Sequence, residues 1–162
     1  MNTPPIKRSK NLVTLSKDHH DGLLIAWKVR QGLRLNISNT RLSNFIVNQF
    51  NTHLHPHFVE EEQLLFSKLP SSDELRIKAE DQHAAIRQMI AAFDSAPESS
   101  TEDLANFANL LDDHIRLEER QLFPHLEKVV APDELDLIGK DLERLHATKP
   151  ADEWHDQFWI KK

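Results

Sequence analysis

His57-Phe58-Val59-Glu60-Glu61-Glu62 has a counterpart further along the chain in His114-Ile115-Arg116-Leu117-Glu118-Glu119. The agreement continues with Leu65 over Leu122 and Phe66 over Phe123. A histidine followed four residues later by a glutamate sets an imidazole and a carboxylate one above the other on a helix face. Two such pairs can face each other across a helical bundle and hold metal between them. One pair alone would read as an ordinary surface contact worth a few tenths of a kcal/mol; the repeat makes that reading inadequate.

The sequence around the repeat is helical in character. Glycine is scarce (3 in 162 residues), and Leu, Ala, Glu, Lys, Gln and Arg fill long periodic stretches, which favours an all-α protein. Helix one is expected over about Leu12 to Leu35, and helix two over about Arg41 to Leu69. Pro70-Ser71-Ser72-Asp73 ends helix two and caps helix three, which extends to about Ser95. Thr101 caps helix four, with Glu102 and Asp103 in its first turn where the dipole favours anions. Pro124 and Pro132 bracket its exit, and a shorter fifth helix covers about Asp133 to Ala147. Short connections fit an up-down-up-down four-helix bundle with a short C-terminal fifth helix. The expected organisation is an N-terminal arm (1–10), a metal-binding bundle (11–130), and a C-terminal helix and aromatic tail packed on it (131–162). Trp154, Phe158 and Trp159 in that tail offer a second use, as a homodimer contact.

Composition excludes several classes of function. The net charge of −6 argues against nucleic acid or an anionic membrane as the main partner, since both need a clustered basic face. With no cysteine, thiolate catalysis, zinc-finger chemistry and disulfides are ruled out. The opening residues lack an apolar signal region and no apolar run approaches a membrane span, so a cytoplasmic location is the default expectation.

Helix heights single out the histidines. Measured from the centres of the three expected turns, His19, His57, His83 and His114 fall within about 3 Å, 3 Å and 1.5 Å of one another, at about 1.5 Å rise per residue. Four histidines therefore share one layer. Helical phasing places Ile46, Phe50, His57, Glu61 and Leu64 on the inward stripe of helix two. Leu110, His114, Leu117, Glu118 and Gln121 form that of helix four. Helix three contributes Ala79, His83, Ile86, Ile90 and Phe93; helix one contributes Leu12, Leu15, His19, Leu23 and Ala26. His20 lies about 100° from that face, so His19 is preferred as the ligand.

The candidate metal ligands are thus His19, His57, Glu61, His83, His114 and Glu118, with no separate catalytic residue assigned. Buried charges of this kind are costly unless paired or metal-bound. Six nitrogen and oxygen ligands suit two octahedral-leaning ions bridged by Glu61 and Glu118 better than a single zinc. Without sulfur, iron or manganese is favoured over copper, and a di-zinc site uses the same ligand types. Six protein ligands leave open positions for O₂, NO or peroxide. His53 is a candidate fifth histidine or a neighbour of the site. Pro56 is expected to kink helix two. Glu60, Glu62 and Glu119 are expected to be solvated or ion-paired, and His125, His146 and His155 to have no metal role.

Asp18-His19-His20, Pro56-His57-Phe58-Val59-Glu60-Glu61-Glu62 and Leu122-Phe123-Pro124 resemble the hemerythrin-like (HHE) cation-binding domains over about residues 12–128. That resemblance implies a four-helix bundle with a non-haem di-iron centre and bridging carboxylates. It also implies roles in binding or sensing O₂, NO, peroxide or iron, or in redox or iron–sulfur repair chemistry. Oxygen-carrying members have a fifth histidine where this chain has Arg87, and an aspartate where it has Glu119. The set looks more like the four-histidine, two-glutamate variant. Two other readings stay open: a ferritin-like di-iron oxidase using Glu80-x-x-His83 and Glu143-x-x-His146, and a metal-free helical interaction module.

Overall fold

In a computed structural model, residues 8–146 and 154–161 are described; residues 1–7 of the expected arm, Ala147 as the expected end of the fifth helix, 148–153 and Lys162 lie outside them. The described residues are all-helical, with five helices and no strand. Helix α1 is Val13–Arg34. The second helix, α2, runs unbroken over 39–68, and α3 is Glu74–Ser95. Helix α4 spans 101–129, and α5 is Pro132–His146. No helix among the described residues is long and apolar enough to cross a membrane.

Local chemistry sets the helix ends. Ser38, Asp73 and Ser100 each accept a hydrogen bond from the backbone N–H three residues on, at 3.3, 3.0 and 3.0 Å. Each satisfies an N–H that has no partner within the first turn. The cap of α4 is thus Ser100 rather than Thr101. Helix α1 closes on Asn36, whose φ of 58° is a left-handed conformation that asparagine tolerates. Its N–H reaches Leu33 O at 3.2 Å and that of Ile37 reaches Gly32 O at 3.0 Å, satisfying the last carbonyls.

Helix α2 contains two π-helical turns, Phe50–Leu54 and Glu61–Leu65, and α4 contains a third, Glu118–Leu122. Pro56 and Pro124 each follow such a turn by two residues, and the helix continues through both. Proline in a regular helix clashes with the carbonyl four residues back, and the wider turn relieves that clash. Helix α4 runs through Pro124 to Val129, so its exit lies between Pro124 and Pro132 as expected.

Each π turn also holds one extra residue, which moves the inward stripe. Leu65 and Phe66 are buried where Leu64 was expected, and Gln121 is exposed while Leu122 is buried.

Two apolar layers sandwich the repeat. One joins the later half of α1 and α3 to the earlier half of α2 and α4, through Ile25, Val29, Leu42, Phe45, Ile90, Phe93, Leu104 and Phe107. The other joins Leu12, Leu15, Leu65, Phe66, Ala79, Leu122 and Phe123 to Ile138 and Leu142 of α5. Each fully buried Leu or Phe contributes about 1.5–3 kcal/mol relative to exposure. In the tail, Phe158 is buried edge-on against Phe45, with ring centroids 5.0 Å apart. Trp154 and Trp159 lie 5.8 and 5.7 Å from the same ring.

Candidate metal centre

Between the apolar layers, all six residues singled out from sequence come together. Their exposure is 4% or less: His19 3%, His57 4%, Glu61 0%, His83 0%, His114 1% and Glu118 0%. They form two overlapping sets, His19–His57–Glu61–Glu118 and Glu61–His83–His114–Glu118, whose ligand atoms lie within 4.8 Å of one another. Both glutamates belong to both sets. Each begins a π turn, Glu61 in α2 and Glu118 in α4, so the repeat survives in the backbone as well as in the residues.

All four imidazoles turn Nε2 toward the glutamates. His19 Nε2 lies 3.0 Å from Glu118 Oε1, and His114 Nε2 lies 3.1 Å from the same atom. His57 and His83 Nε2 approach Glu61 Oε1 at 3.3 and 3.2 Å. Each Nδ1 meets an acceptor outside the set. His19 meets Glu119 at 2.7 Å, His57 meets Asp18 at 3.1 Å, His83 meets Glu62 at 2.9 Å and His114 meets Gln82 at 2.7 Å. Donation from Nδ1–H fixes each ring and points Nε2 inward, where its lone pair is free for a metal once the ring is neutral, the arrangement that metal-bound histidines use.

Glu62 and Glu119 are ion-paired, one of the two expected outcomes, and through those pairs they are built into the site. Arginine holds each from behind: Arg87 bonds both oxygens of Glu62 at 2.6 and 3.0 Å, and Arg8 bonds Glu119 at 2.9 Å. The doubled glutamates of the repeat, Glu61-Glu62 and Glu118-Glu119, were the sequence signal for this outer layer. His146 reaches Glu60 at 2.8 Å and Asp18 at 3.5 Å, and so sits behind His57. His20 is exposed, and His53 lines a narrow cleft of about 10 Å³ beside Asp18 and His57. Neither belongs to the two sets.

The metal-free electrostatics are those of imidazolium–carboxylate pairing. Burial pulls the His57 pKa down, but the Glu61 charge and bonds to Asp18 and Glu61 outweigh it and raise it to about 9. Burial likewise opposes a rise at His83, and its bonds to Glu61 and Glu62 carry it to about 9. His19 is raised well above its ordinary value against the same desolvation, through Glu118, Glu119 and Glu61. Burial works to raise the Glu61 pKa, yet the His57 charge and bonds from His19, His57 and His83 hold it well below the carboxylate range. At Glu62 and Glu119 desolvation is likewise outweighed, mainly by the bonds to His83 and Arg87 and to His19, and both fall to about 2.

The donors fit a cation. His57 Nε2, Glu61 Oε2 and Glu118 Oε2 are buried at the centre and make no well-aligned hydrogen bond; His57 Nε2 and Glu61 Oε2 have only ion-pair contacts, at 3.3 and 3.5 Å. Such orphaned atoms in a native core call for an explanation, and a bound ion supplies one for all three.

A buried set of four histidines and two glutamates in a helical protein fits a cation-binding protein. A family model described as the hemerythrin HHE cation binding domain matches residues 11–126, and the chain belongs to that family. No curated protein and no solved structure matches it.

Proposed function

We propose that the chain holds a dinuclear non-haem centre, with His19 and His57 on one ion, His83 and His114 on the other, and Glu61 and Glu118 bridging. The observation that carries this reading is the sharing of both glutamates between two ligand sets. The two apolar layers join opposite halves of successive helices, which supports an up-down-up-down arrangement around the site. Two iron ions are the preferred occupants, with manganese or zinc as substitutes, because the donors are imidazole and carboxylate without sulfur.

When bound, such a centre supplies redox-active ions with positions open to O₂, NO or peroxide. The protein's own part is to orient imidazoles through Asp18, Glu62, Gln82 and Glu119, to keep the ligands dry between the two apolar layers, and to supply two carboxylates of negative charge. Gas or peroxide binding, iron sensing and weak redox or repair chemistry are the functions this composition supports, in a cytoplasmic setting. The ferritin-like alternative loses its support: Glu143 is exposed, and His146 bonds Glu60 and Asp18 on the outer side of His57.

Elemental analysis of protein from iron-replete cells tests the reading. About two irons per chain are expected, and Glu61→Ala and Glu118→Ala should each abolish dinuclear binding. Full stoichiometry retained in both variants would overturn it.

A further inference from the structure

The two halves of the site copy each other further than the His-x-x-x-Glu motif. Asp18-His19 stands before one motif and Gln82-His83 before the other. In each half the leading residue accepts from the motif histidine of its own half, Asp18 from His57 at 3.1 Å and Gln82 from His114 at 2.7 Å. The histidine that follows bonds the second glutamate of the opposite half, His19 to Glu119 at 2.7 Å and His83 to Glu62 at 2.9 Å. Arginine pairs with both of these glutamates.

The correspondence breaks at one place, where Asp18 is a carboxylate and Gln82 a neutral amide. The surroundings deepen the contrast. Glu60, His146 and Asp21 accompany Asp18. Gln82 lies in a cleft with Lys78, Arg116, Arg120 and Asp113. A carboxylate behind an imidazole makes its Nε2 a stronger donor than an amide does, and changes of this kind alter metal affinity about 10–100-fold.

Resting on the dinuclear reading, we infer that the two ion positions are unequal. The His19/His57 position binds a divalent cation more tightly than the His83/His114 position, and Asp18 against Gln82 sets the difference. The first ion to enter is held on the acidic side; the ion on the basic side is the weaker bound and the more readily exchanged.

Titration of the metal-free full-length chain with Co²⁺ tests this, by calorimetry and by the paramagnetically shifted Nδ1–H proton resonances. Two ions should bind in steps about tenfold or more apart, and at one equivalent the shifted signals should be those of His19 and His57. Asp18→Asn should weaken the tighter step and narrow the gap. Gln82→Glu should narrow it from the other side by strengthening the weaker step, and it carries the test if the Asp18 variant does not fold. Repulsion between two ions in equal positions would also separate the steps, but each variant would then leave the ratio unchanged or widen it rather than narrow it. An unchanged or wider ratio in Gln82→Glu, or first-equivalent signals from His83 and His114, would overturn the inference while leaving the dinuclear centre intact. Fewer than two Co²⁺ per chain would instead count against the dinuclear reading on which it rests.

Discussion

Arg87 and Glu62 are joined by two hydrogen bonds, of 2.6 and 3.0 Å, directly behind His83. Arg87 follows His83 by one helical turn, the position where oxygen-carrying hemerythrins place another histidine. Here the guanidinium lies 5.7 Å from the Phe58 ring and ties down the carboxylate that orients His83. Arg87 at this position supports the orientation of His83 through Glu62. Glu62→Gln should therefore lower metal affinity about 10–100-fold without changing stoichiometry. Arg87→Ala should act in the same direction and less strongly. Competition with a chelator of known affinity measures both; equal affinity in Glu62→Gln and wild type would show that the contact is incidental.

The metal-free protein should have an inverted pH profile relative to the loaded one. His57 and His83 have folded-state values of about 9, above the ordinary 6.5. Their pairing therefore stabilises fully below about pH 6.5 and is lost as pH rises toward 9. Glu61, depressed, contributes above about pH 4.5 and loses that contribution on acidification. Thermal melts of the stripped protein should thus show a maximum between about pH 4.5 and 6.5 and a decline toward pH 9. Metal affinity should rise over that same upper range, because protons and metal compete for the same imidazole nitrogens. A stripped protein that grows more stable from pH 6.5 to 9 would contradict the pairing.

Gly32 is where the tail is seated. A Cβ there would meet Leu42 Cδ2 at 2.4 Å and Phe158 Cε2 at 2.9 Å. Both side chains are buried and both contacts are under 3.0 Å, so the Leu42 side chain and the Phe158 ring must both shift. Gly32→Ala should cost about 1–3 kcal/mol and shift the tryptophan fluorescence as Trp154 and Trp159 part from Phe45. Metal stoichiometry should be unaffected, since this end of the molecule is remote from the His/Glu layer. An emission spectrum identical to wild type would place the tail elsewhere.

His146→Ala and Glu143→Ala separate the dinuclear reading from the ferritin-like one. Both variants should retain two metals per chain, with His146→Ala at most loosening the ion near His57 through Asp18 and Glu60. Loss of a full equivalent in Glu143→Ala would favour the ferritin-like assignment. Metal analysis of the two purified variants suffices.

The all-helical class was legible in the sequence because helix propensity, the scarcity of glycine and the 3.6-residue period are local properties. The His/Glu layer was legible for a related reason. A repeated i, i+4 spacing and matched distances from each turn are arithmetic on a rigid helix, and the arithmetic holds up to the six inner residues. It was loose at Leu23 and Leu110, half-buried in regular helix beside the buried Ile25 and Leu111. It failed outright at Gln121, where the helix departs from 3.6 residues per turn. The π turns at Glu61–Leu65 and Glu118–Leu122 moved burial from Leu64 to Leu65 and from Gln121 to Leu122, and no periodic template contains that extra residue.

The outer layer was settled only by tertiary structure. Whether Glu62 and Glu119 face water or an imidazole depends on which helix lies opposite. Asp18, Gln82, Arg8 and His146 acquire partners from elements 32 to 128 positions away or of comparable remoteness in the chain. Sequence alone determined which residues could ligate a cation, since that is a matter of side-chain chemistry and helical phase. The packing of α1 and α3 against α2 and α4 decided how those side chains are oriented and paired, because orientation is fixed by neighbours that no local spacing specifies.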